Sequence, residues 1–174
     1  MPKAPAVAPP SLTVSAVVNA PCARVMQAFF THQDLAYWWG VERSVTVARP
    51  SAPFAVTWPP TEERDDVLGQ FGGTLHGTVV DYQEARELLV AEVYWQPPDG
   101  DPLGPMAIEV RCAPEGDGST TRVTVRQSAS ETGPRWDRYF AIAKDGWATS
   151  IDTLRDYLEN EWLYRVKTIK QAKP

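Results

Sequence analysis

The stretch PRWDRYFAIAKDGWATSIDTLRDYLENEWL, residues 134–163, carries Trp136, Phe140, Ala143, Trp147, Ile151, Leu154, Leu158 and Trp162 at intervals of three and four. That spacing lines one face of an α-helix and predicts a single amphipathic helix over 134–163, its tryptophan side turned toward the rest of the chain. Gly146 interrupts the pattern and costs about 1 kcal/mol relative to alanine in a helix interior. The apolar stripe keeps its phase across the glycine. A continuous helix brought close to a strand is therefore expected, rather than a break. Such a helix needs a broad apolar surface to cover.

The chain before it supplies one. From residue 43 to about 128 the period is twofold, in SVTVA, PFAVTW, GTLHGTVVDYQE, ELLVAEVYW, PMAIEVRCAP and TTRVTVRQSA. Turn-forming PP (59–60), GG (72–73), PPDGDPLGP (97–105) and EGDGS (115–119) separate these strands, and their closeness in sequence favours an antiparallel meander. Upstream, SLTVSAVV (11–18) alternates as a half-buried strand. NAPCARVMQAFFTH (19–32) reads as a short helix, with Asn19 as N-cap, Pro21 early, and an apolar face of Val25, Met26, Phe29 and Phe30. QDLAYWWG (33–40) reads as a second, with Asp34 near its start and Gly40 past its end. The class is α+β: a sheet curved around the long helix leaves a wedge between them, to be filled by side chains or by a ligand.

Composition narrows the function classes. Seven tryptophans bring large apolar surfaces, and the net charge of −5 offers no footprint for nucleic acid. No apolar run reaches the ~20 residues of a membrane span, and the N-terminus lacks a signal-peptide core, so a cytoplasmic protein is expected. Cys22 and Cys112 then stay reduced, and two cysteines alone lack zinc-site spacing. Residues 1–10 read as a flexible proline- and alanine-rich arm, 11–163 as a single domain, and 164–174 as a basic tail whose charge complements a helix C-terminus.

Three segments carry a family resemblance. NAPCARVMQAFFTHQDLAYWWG has an alanine–proline start, a helix and paired tryptophans. GGTLHGTVVDYQEARELLVAEVYW has strand, glycine, acidic turn and a leucine-led strand ending in tryptophan. DGWATSIDTLRDYLE has a glycine–tryptophan start to the last helical segment. In this order and spacing they resemble the START-like (SRPBCC) superfamily, in the branch of heat-shock-protein-90 ATPase activator homologues. The resemblance implies a helix-grip fold: a curved antiparallel sheet wrapped around a long C-terminal helix, with two short helices after the first strand. The acidic linker PPTEERDDVLGQFG and the proline-rich WQPPDGDPLGP depart from the family pattern. Eukaryotic activators use an additional N-terminal domain, for which 174 residues leave no room.

The wedge then becomes the candidate site. Adjacent residues on a helix point about 100° apart, so Trp38 and Trp39 cannot easily share one packing surface. One should pack beneath the short helices while the other projects toward the wedge. Strand alternation adds Val56 with Trp58, Leu75 with Gly77 and Val79, and Ala91 with Val93 and Trp95. Met106, Ile108, Val110 and Cys112 share another face, and Val123, Val125 and Gln127 close the series. The expected ligand-binding residues are Trp38, Trp39, Trp58, Leu75, Trp95 and Ile108, with Trp136, Phe140 and Trp147 from the long helix.

Catalytic and metal chemistry have little support in the sequence. His32 and His76 share no ligand motif, the acids TEERDD (61–66) read as a solvated loop, and Cys22 reads as structural. GQFGG lacks the ending of a phosphate loop. No catalytic residue, metal or cofactor is called for. The first expectation is therefore a non-enzymatic binder of a hydrophobic or aromatic small molecule, monomeric or homodimeric. The second, implied by the resemblance, is an interaction module with a chaperone or other protein partner. The third is a cyclase- or hydratase-like enzyme, since some superfamily members are of that kind.

Overall fold

Ser11–Val18 forms β1, and its alternation places Leu12 and Val18 in the core. The structure, a computed structural model, describes residues 6–161 together with Leu163 and Gln171. After β1 come α1 (Cys22–Gln27) and α2 (His32–Trp39). Pro21, not Asn19, occupies the cap position of α1; the Asn19 backbone N–H instead donates to Glu159 Oε1 at 2.9 Å. Val25, Met26 and Phe29 are buried, as their spacing predicts. Gly40 ends α2 with φ of 67°, a left-handed conformation that glycine adopts without a Cβ clash.

The strands β2 (Arg43–Thr46), β3 (Pro53–Trp58), β4 (Arg64–Asp65), β5 (Gly69–Gln70), β6 (Gly73–Gln83), β7 (Glu87–Gln96), β8 (Leu103–Glu115) and β9 (Thr120–Ala129) follow. Six of them and β1 make one antiparallel sheet, ordered β1-β9-β8-β7-β6-β3-β2. The meander is the expected one, and β1 closes it by pairing with β9, Val14 opposite Val125. The remaining two form a small separate hairpin inside the acidic linker. The linker's acids at 61–66 are expected from the sequence to be a solvated loop, whereas Arg64 and Asp65 form β4.

Register breaks in β6 and β7 bend the sheet. Leu88 and Val90 are buried, but the next buried residues of β7 are Val93 and Trp95. Glu92, with φ of 51°, takes up the extra residue of the bulge. Strict alternation had grouped Ala91 with Val93 and Trp95; the bulge resets the phase and takes Ala91 out of that group. Opposite it, a Cβ on Gly77 would lie 2.8 Å from Ala91 O, so the bend requires glycine at that point.

The long helix, α3, runs unbroken over Pro134–Glu159 and packs against β1 and α2. Trp136, Phe140, Trp147, Ile151, Leu154 and Leu158 are all buried on it. It stops short of Leu163 because Asn160 leaves helical conformation, at φ −123° and ψ 24°. Gly146 sits inside the helix, yet nothing lies within 4 Å of where its Cβ would be. The expected close approach to a strand is absent there. Trp162, the first five residues of the predicted arm and nearly all of the basic tail lie outside the described residues. No helix among the described residues is long and apolar enough to cross a membrane.

Candidate functional site

A partly open cavity of about 330 Å³ lies between the sheet and α3, in the expected wedge. Its walls come from five places in the chain. The end of α2 supplies Trp39, the end of β3 supplies Trp58, and the hairpin segment supplies Thr61, Leu68, Phe71 and Gly72. The sheet supplies Leu75, Trp95 and Gln127. The α3 residues Tyr139, Ile142, Ala143, Gly146, Trp147 and Ser150 recur at one and three along a single helix face.

That face adjoins the fully buried stripe but is built differently. Ala143, Gly146 and Ser150 are small, and they leave open the space between helix and sheet that large residues would occupy. Gly146 faces open space for this reason. Small residues at helical spacing beside an aromatic stripe were the available sequence signal for the cavity. The expectation of close packing at Gly146 passed over it.

The paired tryptophans divide. Trp38 is 2% exposed, donates its N–H to Ala28 O at 2.9 Å and meets Phe29 edge-on at 5.0 Å. Trp39 borders the cavity. Its ring stacks on Trp38 at 5.0 Å and 4°, and it also meets Trp58 at 5.0 Å and Trp147 at 4.8 Å. Trp39 is the last helical residue before Gly40. The stack thus continues the core outward, one ring buried and the next serving as wall.

Of the nine residues expected to bind ligand, Trp39, Trp58, Leu75, Trp95 and Trp147 are brought together around the cavity. Trp38, Ile108, Trp136 and Phe140 are buried elsewhere in the core, outside that lining. Trp38 is covered by Trp39. Ile108 lies on β8 beside Gln127 of β9, and it is the Gln127 side chain that reaches the cavity. Trp136 and Phe140 occupy the large-residue stripe of α3, one position round from the small one. Period alone marked the apolar face of the helix; the cavity lies at its edge.

Strand alternation had put Gln127 on a wall face without counting it among the ligand-binding residues, and Tyr139 went unnamed. Gln127 is 1% exposed and fully engaged: its Oε1 accepts the Trp147 N–H at 2.8 Å, and its Nε2 donates to Tyr139 Oη at 3.1 Å and Met106 Sδ at 3.3 Å. Burying an amide without partners costs about 1–3 kcal/mol, so these bonds are what let it sit at the cavity wall. Burial pushes the Tyr139 hydroxyl up to about 12, against the bond from Gln127. Two further indole donors of the lining are also satisfied within the protein: Trp58 donates to Trp39 O at 2.7 Å and Trp95 to Gly72 O at 2.9 Å. These rings offer the cavity their apolar surfaces.

The hairpin over the cavity is pinned by charge. Asp65 accepts the Arg138 guanidinium of α3 at 2.7 Å and the backbone N–H groups of Val67 and Leu68 at 2.9 and 3.0 Å. The Arg138 bond, ahead of these amides, holds the Asp65 carboxyl below the usual carboxylate range. Arg64 pairs with Asp99 at 2.6 Å, and Asp99 also accepts the Gln70 N–H at 2.9 Å. Among the described residues no group of His, Cys, Asp or Glu side chains could hold a metal. His32 bonds Ser44 at 2.9 Å and His76 stacks on Tyr94, both away from the cavity.

Comparison with known proteins bears on fold and family. Among curated proteins none matches the chain. A crystal structure of a Mycobacterium smegmatis protein superposes with a TM-score of 0.66 at 16% identity, covering 86% of this chain and 90% of that one. Proteins from Silicibacter pomeroyi (0.64, 16% identity, 87% and 99% covered) and Mesorhizobium loti (0.63, 18%, 86% and 97%) are similar in the same way. These likenesses show the helix-grip fold. Residues 19–159 match the family model described as Activator of Hsp90 ATPase homolog 1-like protein, and the chain belongs to that family, within the START-like superfamily.

Proposed function

We propose that the cavity binds a small, apolar and at least partly aromatic molecule. The observation that carries this reading is an aromatic enclosure, with Trp39, Trp58, Phe71, Trp95, Tyr139 and Trp147 around a space of about 330 Å³. Ligand pockets are commonly of this size and composition, and a close-packed occupant would have on the order of 12 heavy atoms. The lining residues include no carboxylate, imidazole, thiol, amine or guanidinium. A charged ligand would be buried there without a partner, which favours a neutral one. The same composition supplies no acid–base pair, and so supports binding over the cyclase- or hydratase-like alternative.

Gly146 provides the test. A Cβ at this position meets no neighbour within 4 Å, so a leucine there has room to extend into the cavity, while removing a helical glycine favours α3 by about 0.8 kcal/mol. Naphthalene should bind the native protein in calorimetry, and Gly146→Leu should lose most of that binding while remaining folded. Unchanged binding in a folded Gly146→Leu would place the ligand elsewhere and refute the reading. The family name brings a second possibility, an activator-type partner at the surface. Gly146→Leu separates the two, since it fills the cavity and leaves the outer surface as it was.

A further inference from the structure

The hydrogen bonds around Gln127 have a direction. An indole N–H can only donate, so Trp147 must meet the amide oxygen, as it does at 2.8 Å. The amide nitrogen is thereby turned the other way, toward Met106 Sδ at 3.3 Å and Tyr139 Oη at 3.1 Å. Nε2 has no lone pair to offer, so Tyr139 oxygen must be the acceptor in that contact. The tyrosine proton is directed away from Gln127, and among the described residues no protein group accepts it. Tyr139 borders the cavity. Its raised pKa keeps the hydroxyl protonated throughout the physiological range.

We propose that the Tyr139 hydroxyl, held by Gln127 and Trp147, selects cavity ligands that present a neutral hydrogen-bond acceptor, such as a ketone or ester carbonyl on a planar aromatic frame. The proposal rests on the reading of the cavity as a small-molecule site and adds the ligand's polar requirement. The chain Trp147 to Gln127 to Tyr139 runs from α3 to the sheet and back, so packing on both sides fixes where the donor points. A purely hydrocarbon ligand would displace water from that donor and leave it unpaired. Sites built around a buried hydrogen-bonding group reject analogues lacking the partner for this reason.

The test uses two probes of matched shape, 2-acetylnaphthalene and 2-isopropylnaphthalene, which differ in a carbonyl oxygen against a methyl group. Calorimetry on the full chain should show the ketone bound about fivefold more tightly, equivalent to about 1 kcal/mol. Tyr139→Phe should bring the two affinities together while retaining the hydrocarbon. The infrared carbonyl band of bound 2-acetylnaphthalene should lie below its position in an alkane solvent, and this displacement should disappear in Tyr139→Phe. Equal affinities in the native protein, or an unshifted carbonyl band, would overturn the proposal while hydrocarbon binding left the cavity reading intact. A preference surviving in Tyr139→Phe would also overturn it, by assigning the donor to another group such as the Trp39 N–H. Failure of both probes to bind would refute the cavity reading itself, and the proposal with it.

Discussion

Trp38 and Trp39 share a helix turn and a stacked contact, yet their surroundings give them different work. Trp38 has no free face: Phe29 meets one side, Trp39 the other, and its N–H is held by Ala28. Removing it takes away a fully buried ring and leaves a void, so Trp38→Ala should cost about 3–5 kcal/mol in urea denaturation. Trp39 is half-buried, with part of its surface on the cavity. Trp39→Ala should cost less, about 1–3 kcal/mol, and should weaken naphthalene binding by at least about tenfold through loss of a wall. Equal destabilisation by the two, with naphthalene binding unaltered, would make both rings core. The doublet WW was legible as a division of labour, but their order was not. It depends on where α2 ends, and Gly40 sets that end one residue after Trp39.

At the scale of elements, the hairpin of β4 and β5 is the part whose attachment is mostly ionic. Leu68 is its one buried large apolar side chain, and Phe71 is half-buried. Asp65 ties it to α3 through Arg138, and Asp99 ties it to the segment after β7 through Arg64. The Asp65 carboxyl is lowered in the folded protein, so its contribution is present above the ordinary carboxylate range and is lost as pH falls through the folded value. Hydrogen exchange at the Val67 and Leu68 amides should therefore quicken on acidification below about pH 4, beyond the intrinsic change in exchange rate. Asp65→Asn should give faster exchange at neutral pH, and much of the pH effect should vanish in it. Exchange at these amides unaffected by the substitution would show that Leu68 alone anchors the hairpin. The acidic composition of TEERDD suggested solvation. It concealed the anchor because Arg138 lies 73 residues further on.

Across the whole molecule, one ionic cluster joins α1, α2 and α3. Asp34 of α2 accepts both Arg24 Nη atoms of α1, at 2.9 and 2.8 Å, and the Tyr157 hydroxyl of α3 at 2.6 Å. Glu161 adds a second carboxylate to Arg24 at 2.7 Å. Burial opposes the charged form of Arg24, but the bonds to Asp34 and Glu161 outweigh it and raise its pKa. Tyr157 is raised as well, first by burial and then by its bond to Asp34. Asp34→Ala withdraws the acceptor shared by α1 and α3. It should cost about 3 kcal/mol, since breaking a buried pair leaves charge behind. A loss below about 1 kcal/mol would mean that Glu161 and solvent fully replace it. The short helices and α3 thus form one frame, which holds Trp39 against Trp147 at the cavity.

The sequence by itself determined the class, the strands of the meander, the two short helices and the unbroken α3. Each of these rests on local periodicity and turn chemistry, which neighbouring residues decide. It also determined which tryptophans were available as walls. Only the tertiary structure decided which of them meet. The bulge at Glu92 reset the phase of β7 for the sake of sheet curvature, and pairing of β1 with β9 joined segments 115 residues apart at Leu12 and Gln127. The cavity is likewise a tertiary property. Small residues on α3 leave a void only because large ones beside them hold the helix at its distance from the sheet. Gln127, polar among apolar strand neighbours, had a place in that wall once Trp147 and Tyr139 were folded onto it from the far end of the chain.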